Sequence, residues 1–262
     1  MESLTIDLIL SAFLVFVRVS ALVMTAPFFS SAAFPAQIKI YFSVITSVLL
    51  FSVIPAEGAF VSADAGAVFI VSAIILEALV GIALGLIGQL VFAGLEMAGM
   101  LISLNSALSF ANMVDTMTQK QSAIISNLFT LVAVLIFLSI DGDKVYISAL
   151  AKSFEMIPVN EAEIHLAGPY MLEIATYLFV IGVQITTPFI IVIFLLDVSL
   201  AIFARIMPQA NMMFIALPIK VGVGLSLLLL SIPYFPTAFE MMFLQLYDFI
   251  AEIIGIMAPG VY

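Results

Sequence analysis

The chain has little with which to do chemistry. Among its 262 residues are 17 carboxylates, seven Lys or Arg side chains, one histidine and no cysteine. Without cysteine there is no disulfide and no thiolate ligand. With His165 alone, a multi-histidine metal site is excluded, and no metal or other cofactor is expected. No GxSxG, P-loop or HExxH pattern occurs, so no catalytic residue is assigned and no enzyme is expected. Asp141 and Asp143 lack the remaining ligand spacing of an EF-hand and fit a solvated helical segment better. What remains are five ionisable residues inside, or at the edge of, long apolar runs: Arg18, Glu77, Asp197, Arg205 and Lys220. Charge there is costly and faces a protein interior or a watery path. Two readings stand at this level. The five form a proton relay, or they pair and fix helix register within a bundle. Both signs are present, which suits pairing better than an ion filter. Arg18 with Glu77, and Asp197 with Lys220, are the pairs to expect.

The elements that hold these residues are helices in a membrane. The chain is 65% hydrophobic and only 9% charged, against about a quarter charged in soluble domains. Its mean hydropathy is +1.32. Continuous apolar runs fit helices, since a barrel would alternate polarity in short segments. The fold class is all-α, a polytopic membrane protein of long, kinked helical hairpins. Runs begin at Leu8, Ile40, Val68, Ile124, Tyr170, Met212 and Ala238. The run from Ile40 is short for a span, and the runs from Val68 and Tyr170 exceed one, so the count is six spans, or up to eight if the two overlong runs are split. Pro188 and Pro218 predict kinks. Gly81 and Gly85 form a GxxxG step, read as tight helix packing. Lys39, Lys120, Lys144 and Lys152 are scattered, so the positive-inside rule sets no orientation. No cleaved leader is expected from the acidic Met1–Asp7. A net charge of −10 argues against a nucleic-acid partner.

Residues Asn105 to Ser122 read NSALSFANMVDTMTQKQS, a polar interruption between two apolar runs. Such a stretch is an external loop or a re-entrant one lining a cavity. Methionines cluster at Met113 and Met117, at Met207, Met212 and Met213, and at Met241 and Met242. They read as core packing, or as an adaptable seal around a channel.

Three segments together carry a resemblance. The first, Val17 to Pro55, has Arg18, Ala26-Pro27, Pro35 and Lys39. The second, Gly99 to Pro158, has SFANMVD at 109–115, FLSIDGD at 137–143 and Ser153-Phe154. The third, Pro188 to Gly224, has Arg205-x-x-Pro208-Gln209-x-Asn211 followed by Pro218-x-Lys220. In order and spacing they resemble the FliR/SctT family of type III export-gate proteins over nearly the whole chain. Departures fall at Asp115-Thr116, at Asp141-Gly142-Asp143 and at Met213.

The resemblance implies a flagellar export-gate subunit with no chemistry of its own. Residues 1–262 would be one subunit, about 1–185 similar to FliP and about 186–262 similar to the FliQ hairpin. It implies assembly with FliP and FliQ in a wound, cone-like channel for unfolded flagellar proteins, near the export proteins FlhB and FlhA. The place implied is the bacterial inner membrane at the flagellar basal body. It further implies that Asn105, Phe110, Asn112, Met113, Val114, Asp115 and Met117 belong to a loop that plugs the closed pore. The alternatives are the injectisome version of the gate, or a proton-coupled secondary transporter using Glu77 and Asp197.

Overall fold

The computed structural model describes residues 2–30, 35–52, 66–108, 124–209 and 211–260. All regular structure among them is helical: α1 (Glu2–Thr25), the short α2 (Pro27–Ser30), α3 (Ala36–Phe51), α4 (Ala67–Asn105), α5 (Ile124–Ser139) and α6 (Gly142–Met156). A 3-10 turn at Ile164–Leu166 leads into α7 (Ala167–Ile206), followed by α8 (Met212–Ser231). A second 3-10 turn, Ile232–Tyr234, leads into α9 (Phe235–Met257).

Four stretches are long and apolar enough to cross a membrane: Ile6–Thr25, Ala67–Asn105, Ile164–Ile206 and Phe214–Met257. Taking α5 with α6 across their break gives a fifth. The sequence-based count of six to eight is therefore too high, for three reasons. The run from Val68 continues as one helix of 39 residues, because its glycines are buried against neighbours rather than placed at a break. Pro188 lies inside α7 without ending it. Beside it, Thr186 Oγ1 donates to the Gly182 carbonyl at 2.9 Å and Thr187 Oγ1 to the Val183 carbonyl at 2.9 Å. These carbonyls neighbour that of Gln184, the one a proline at 188 leaves without its amide. Third, the runs from Met212 and Ala238 lie in one continuous stretch, Phe214–Met257, joined through the 3-10 turn at Ile232–Tyr234.

The chain divides into two compact units. The first takes its described residues from Met1–Val91, Asp141–Ala175 and Phe243–Tyr262. Its interior holds Leu14, Val19, Leu22, Val80, Leu84, Ile87, Leu150 and Ile253. Here α1 packs against α3, and the glycines of α4 meet the C-terminal half of α1. A Cβ on Gly81 would lie 2.8 Å from Ala21 Cβ, and one on Gly85 2.8 Å from Thr25 Cβ. A Cβ on Gly88 would lie 2.9 Å from Pro27 Cδ. These contacts are backbone-close, the purpose of a small-residue stripe in a membrane helix. Tyr170 donates to Glu252 at 2.8 Å, and the Glu163 amide to the Met257 carbonyl at 3.0 Å, which fasten the end of α9.

The second unit takes Phe92–Ile140 and Thr176–Met242. Aromatic rings fill it. Phe129 meets Phe235 and Phe239 edge-on at 4.8 and 5.4 Å between centroids, and Phe92 meets Phe137 at 5.9 Å. Gly182 packs on the Gly94 carbonyl, at 2.9 Å from where its Cβ would be. Ser126 Oγ donates to the Glu96 carbonyl at 3.0 Å and holds α5 to α4.

Substitution at the stripe tests this packing. Gly81→Leu and Gly85→Leu each force backbone apart, which costs about 1–3 kcal/mol or more. Gly168 has open space around it. We expect the two stripe variants to lose most of the protease-resistant chain from membranes, and Gly168→Leu to match the parent, by quantitative immunoblot.

Candidate functional site

The most polar point of the first unit is its most buried. Arg18 lies on α1, in an apolar helix, and its side chain is 0% exposed. A guanidinium has five N–H donors and no acceptor, and leaving any unpaired in such a place is expensive. Every nitrogen has partners. Nε donates to Glu77 Oε2 at 2.5 Å and Nη2 to Glu77 Oε1 at 3.1 Å, the two-pronged arrangement that matches a carboxylate. Nη1 donates to the Ser153 carbonyl at 3.0 Å, to Ser153 Oγ at 3.3 Å and to the Ile157 carbonyl at 3.1 Å. Nη2 also reaches the Ile157 carbonyl, at 3.1 Å. Arg18 Cζ lies over the Phe154 ring, 4.1 Å from its centroid, a favourable cation–π contact.

Local sequence explains how each partner arrives. Glu77 is on α4, one turn before Gly81, where α4 approaches α1 most closely. Helix α6 ends at Met156 because Pro158 cannot continue it. The Ser153 carbonyl accepts the last helical bond, from the Ile157 amide at 2.9 Å, and takes Arg18 as a second donor, while the Ile157 carbonyl lies past the helix end, where a cation offsets its partial negative charge. Beyond Pro158 the chain turns sharply enough to put Asn160 at φ +66°. Its amide donates to Glu77 Oε1 at 3.0 Å, so the carboxylate too is held from two sides. Four stretches of chain meet on one ion pair. The arrangement is saturated with hydrogen bonds and leaves no open position for a reacting group.

Asp197 and Lys220, in the second unit, form the other expected pair, with Lys220 Nζ 2.5 Å from Asp197 Oδ1. It joins α7 to α8 across the turn after Ile206. Their side chains are 44% and 25% exposed, so this pair is not buried. Arg205, expected among the buried charges, is exposed in the last turn of α7. There a cation complements the helix carbonyl end and needs no carboxylate. Pro208 and Gln209 lie exposed in the turn, Asn211 precedes α8, and Pro218 is on an exposed face within α8. Asn105 ends α4, its Nδ2 donating to the Leu101 carbonyl at 2.8 Å. Phe110, Asn112, Met113, Val114, Asp115 and Met117 lie outside the described residues.

Sequence reasoning did not find the carbonyls of Ser153 and Ile157 or the amide of Asn160. Backbone groups leave no residue signature. The available signal was Pro158, which marks where a helix must expose its last carbonyls. Ser153-Phe154 carries a signal only as part of the family-like pattern.

The sequence pattern of the bacterial export proteins, family 1, matches residues 9–246. The chain belongs to this family. It is 36% identical over 234 residues to the flagellar biosynthetic protein FliR of Aquifex aeolicus, covering 88% of this chain and 87% of that one. It is 31% identical to FliR of Bacillus subtilis, over 86% of each chain. It is 30% identical to FliR of Pectobacterium carotovorum, over 91% of this chain and 90% of that one. With its apolar helices, this member of the FliR family is a membrane-embedded component of the flagellar export apparatus. Arg18, Glu77, Ser153, Asn160, Asp197 and Lys220 all fall within the matched span.

Two tests separate the ion pairs. Removing one partner of a buried pair costs about 3–5 kcal/mol, whereas an apolar replacement of both is often near neutral. Arg18→Met or Glu77→Met alone should nearly abolish folded chain. The double variant should recover part of it, short of the parent because the Ile157 carbonyl and the Asn160 amide lose their partners. Thermal unfolding in detergent reads the difference. A half-exposed pair contributes about 0–1 kcal/mol. Asp197→Lys and Lys220→Asp should therefore leave folding nearly intact and impair swarming in soft agar, and the exchanged pair should regain at least half of it.

Proposed function

We propose that the chain is a core subunit of the flagellar type III export gate. In this reading it joins FliP and FliQ in the bacterial inner membrane at the flagellar basal body. Together they form the channel through which unfolded flagellar proteins leave, close to FlhB and FlhA. About residues 1–185 play the FliP-like part and about 186–262 the FliQ-like hairpin. The observation that carries the reading is the family match from residue 9 to 246, joined to relatives that bear the flagellar name.

Two physical features support it. The ionisable groups a transporter would use for proton coupling are engaged: Glu77 by Arg18 and Asn160, and Asp197 by Lys220. A second feature is the apolar surface. Ile202, Phe203, Ile206, Phe214, Leu229 and Leu230 are exposed in the chain alone, and exposed patches of this kind require lipid or partner helices.

The closed pore is plugged by the polar stretch from Asn105 to about Gln119. Phe110, Met113 and Met117 fill the lumen, and Asn112 and Asp115 tolerate water. Val114 completes the apolar contact. The sequence supports this through its polarity, since such a stretch is tolerated at membrane depth only beside protein or water.

Deleting residues 109–117 tests the reading. The gate should still assemble and co-purify with two small hydrophobic subunits in fixed ratio. Cells carrying it should leak small ions, with membrane conductance several-fold above the parent. Unchanged permeability in an assembled gate would reject the plug, and a chain purified alone would reject the subunit.

A further inference from the structure

Two hydroxyls at the end of α4 break the pattern of the others. Ser103 and Ser106 are 1% and 0% exposed, and neither hydroxyl has a hydrogen-bond partner among the described residues. Other buried hydroxyls donate to a carbonyl about one turn back: Ser47 to Val44 at 2.9 Å, Ser153 to Leu150 at 2.8 Å and Thr186 to Gly182 at 2.9 Å. A buried hydroxyl left unpaired keeps its full desolvation cost. The backbone is strained at the same place. Helix α4 ends at Asn105, and Ala107 stands at φ +56°, a left-handed turn that a side chain disfavours. Costs of this kind persist only where packing imposes them, and they gather in elements that switch.

The packing that buries Ser106 includes α8. A Cβ on Gly224 would lie 2.5 Å from Ser106 Oγ, so the α8 backbone rests directly on the Ser106 side chain. Of the described residues of α8, only Gly224 and Leu228 are buried. Lys220, Gly224 and Leu228 recur every four residues, so one narrow stripe attaches this helix. The ion pair in that stripe is half-exposed and holds weakly. Withdrawing α8 therefore breaks few contacts, lets the Ser106 hydroxyl reach water and lets the turn at Ala107 relax. We propose that α8 is a latch on the end of α4. Seated with Gly224 on Ser106, it pins the root of the polar stretch from Asn105 to about Gln119, and withdrawn it releases that root. This rests on the reading of that stretch as the plug of the closed pore.

The chain has no cysteine, so one introduced thiol reports the latch. In the full assembly, Leu228→Cys reacts with a water-soluble maleimide when α8 leaves its seat. Ser106→Ala removes the unpaired hydroxyl and keeps the Cβ, and should slow labelling about fivefold or more. Gly224→Ala sets a methyl against Ser106, and should speed labelling about fivefold or more. General loosening of the chain speeds labelling only, so the opposite signs identify a latch. Without the reporter thiol, Gly224→Ala should raise membrane conductance several-fold, with the deletion of 109–117 as reference. Should Gly224→Ala fail to accumulate, Lys220→Met takes its place, since it loosens α8 away from the seat. A labelling rate that Ser106→Ala does not slow, or that the loosening variant does not raise, overturns the inference. So does conductance that stays at the parent level in the loosening variant while the deletion leaks. If the deletion does not leak either, the plug reading fails, and this inference with it.

Discussion

A guanidinium sealed from water sets the terms for the first unit. Arg18 must find an acceptor for every N–H, and no single residue can supply them. Glu77 takes one edge and the end of α6 takes the other. Those acceptors lie 59 to 139 residues away in sequence. The charge thereby fixes which segments of α1, α4 and α6 share a level. Small displacements break several charge-assisted bonds at once, so the alternatives to this register are far less stable. Such specificity is the best-attested use of a buried ion pair, more than any net gain in stability.

The second unit relies on a different balance. Its ion pair is half-exposed, so it contributes less to folding and more to what the surface offers a neighbour. Aromatic edge-to-face contacts around Phe129, and the close passage of α7 at Gly94 and Gly182, do the packing. The turn between α7 and α8 shows the same economy of parts. Pro208 stops one helix, Arg205 complements its carbonyl end, and Lys220 reaches back to Asp197 from the next helix. Each charge in this region has a local electrostatic reason, and none needs a catalytic one.

Much of this could be read beforehand, and what escaped has physical causes. Helicity, membrane residence and the pairing of opposite charges follow from the cost of unsatisfied polar groups in lipid, which a sequence displays directly. The GxxxG step likewise marks a close approach before its partner is known, and Gly81 and Gly85 meet α1. The span count failed because proline and glycine are ambiguous. Pro158 ends a helix in a region where the following chain is needed elsewhere, while Pro188 lies inside α7 without ending it. Residue type is the same, and only the surroundings decide. The exposure of Arg205 escaped for a similar reason: proximity to an apolar run does not tell whether a side chain lies mid-helix or at a helix end.

Charge and small residues work together on one face of α4. Glu77, Gly81, Gly85 and Gly88 recur at steps of four, four and three, so they line one side of the helix. The glycines let α4 come within backbone contact of α1, and only at that separation can Glu77 reach Arg18 with both oxygens. Larger residues would hold the helices apart and leave both charges desolvated without each other. In turn the ion pair chooses among the many ways two glycine-bearing helices could slide past one another. In lipid, hydrophobic burial gives helices little reason to prefer one another over the bilayer. Close packing then supplies the attraction and the saturated charge supplies the register. Neither would determine a single arrangement alone.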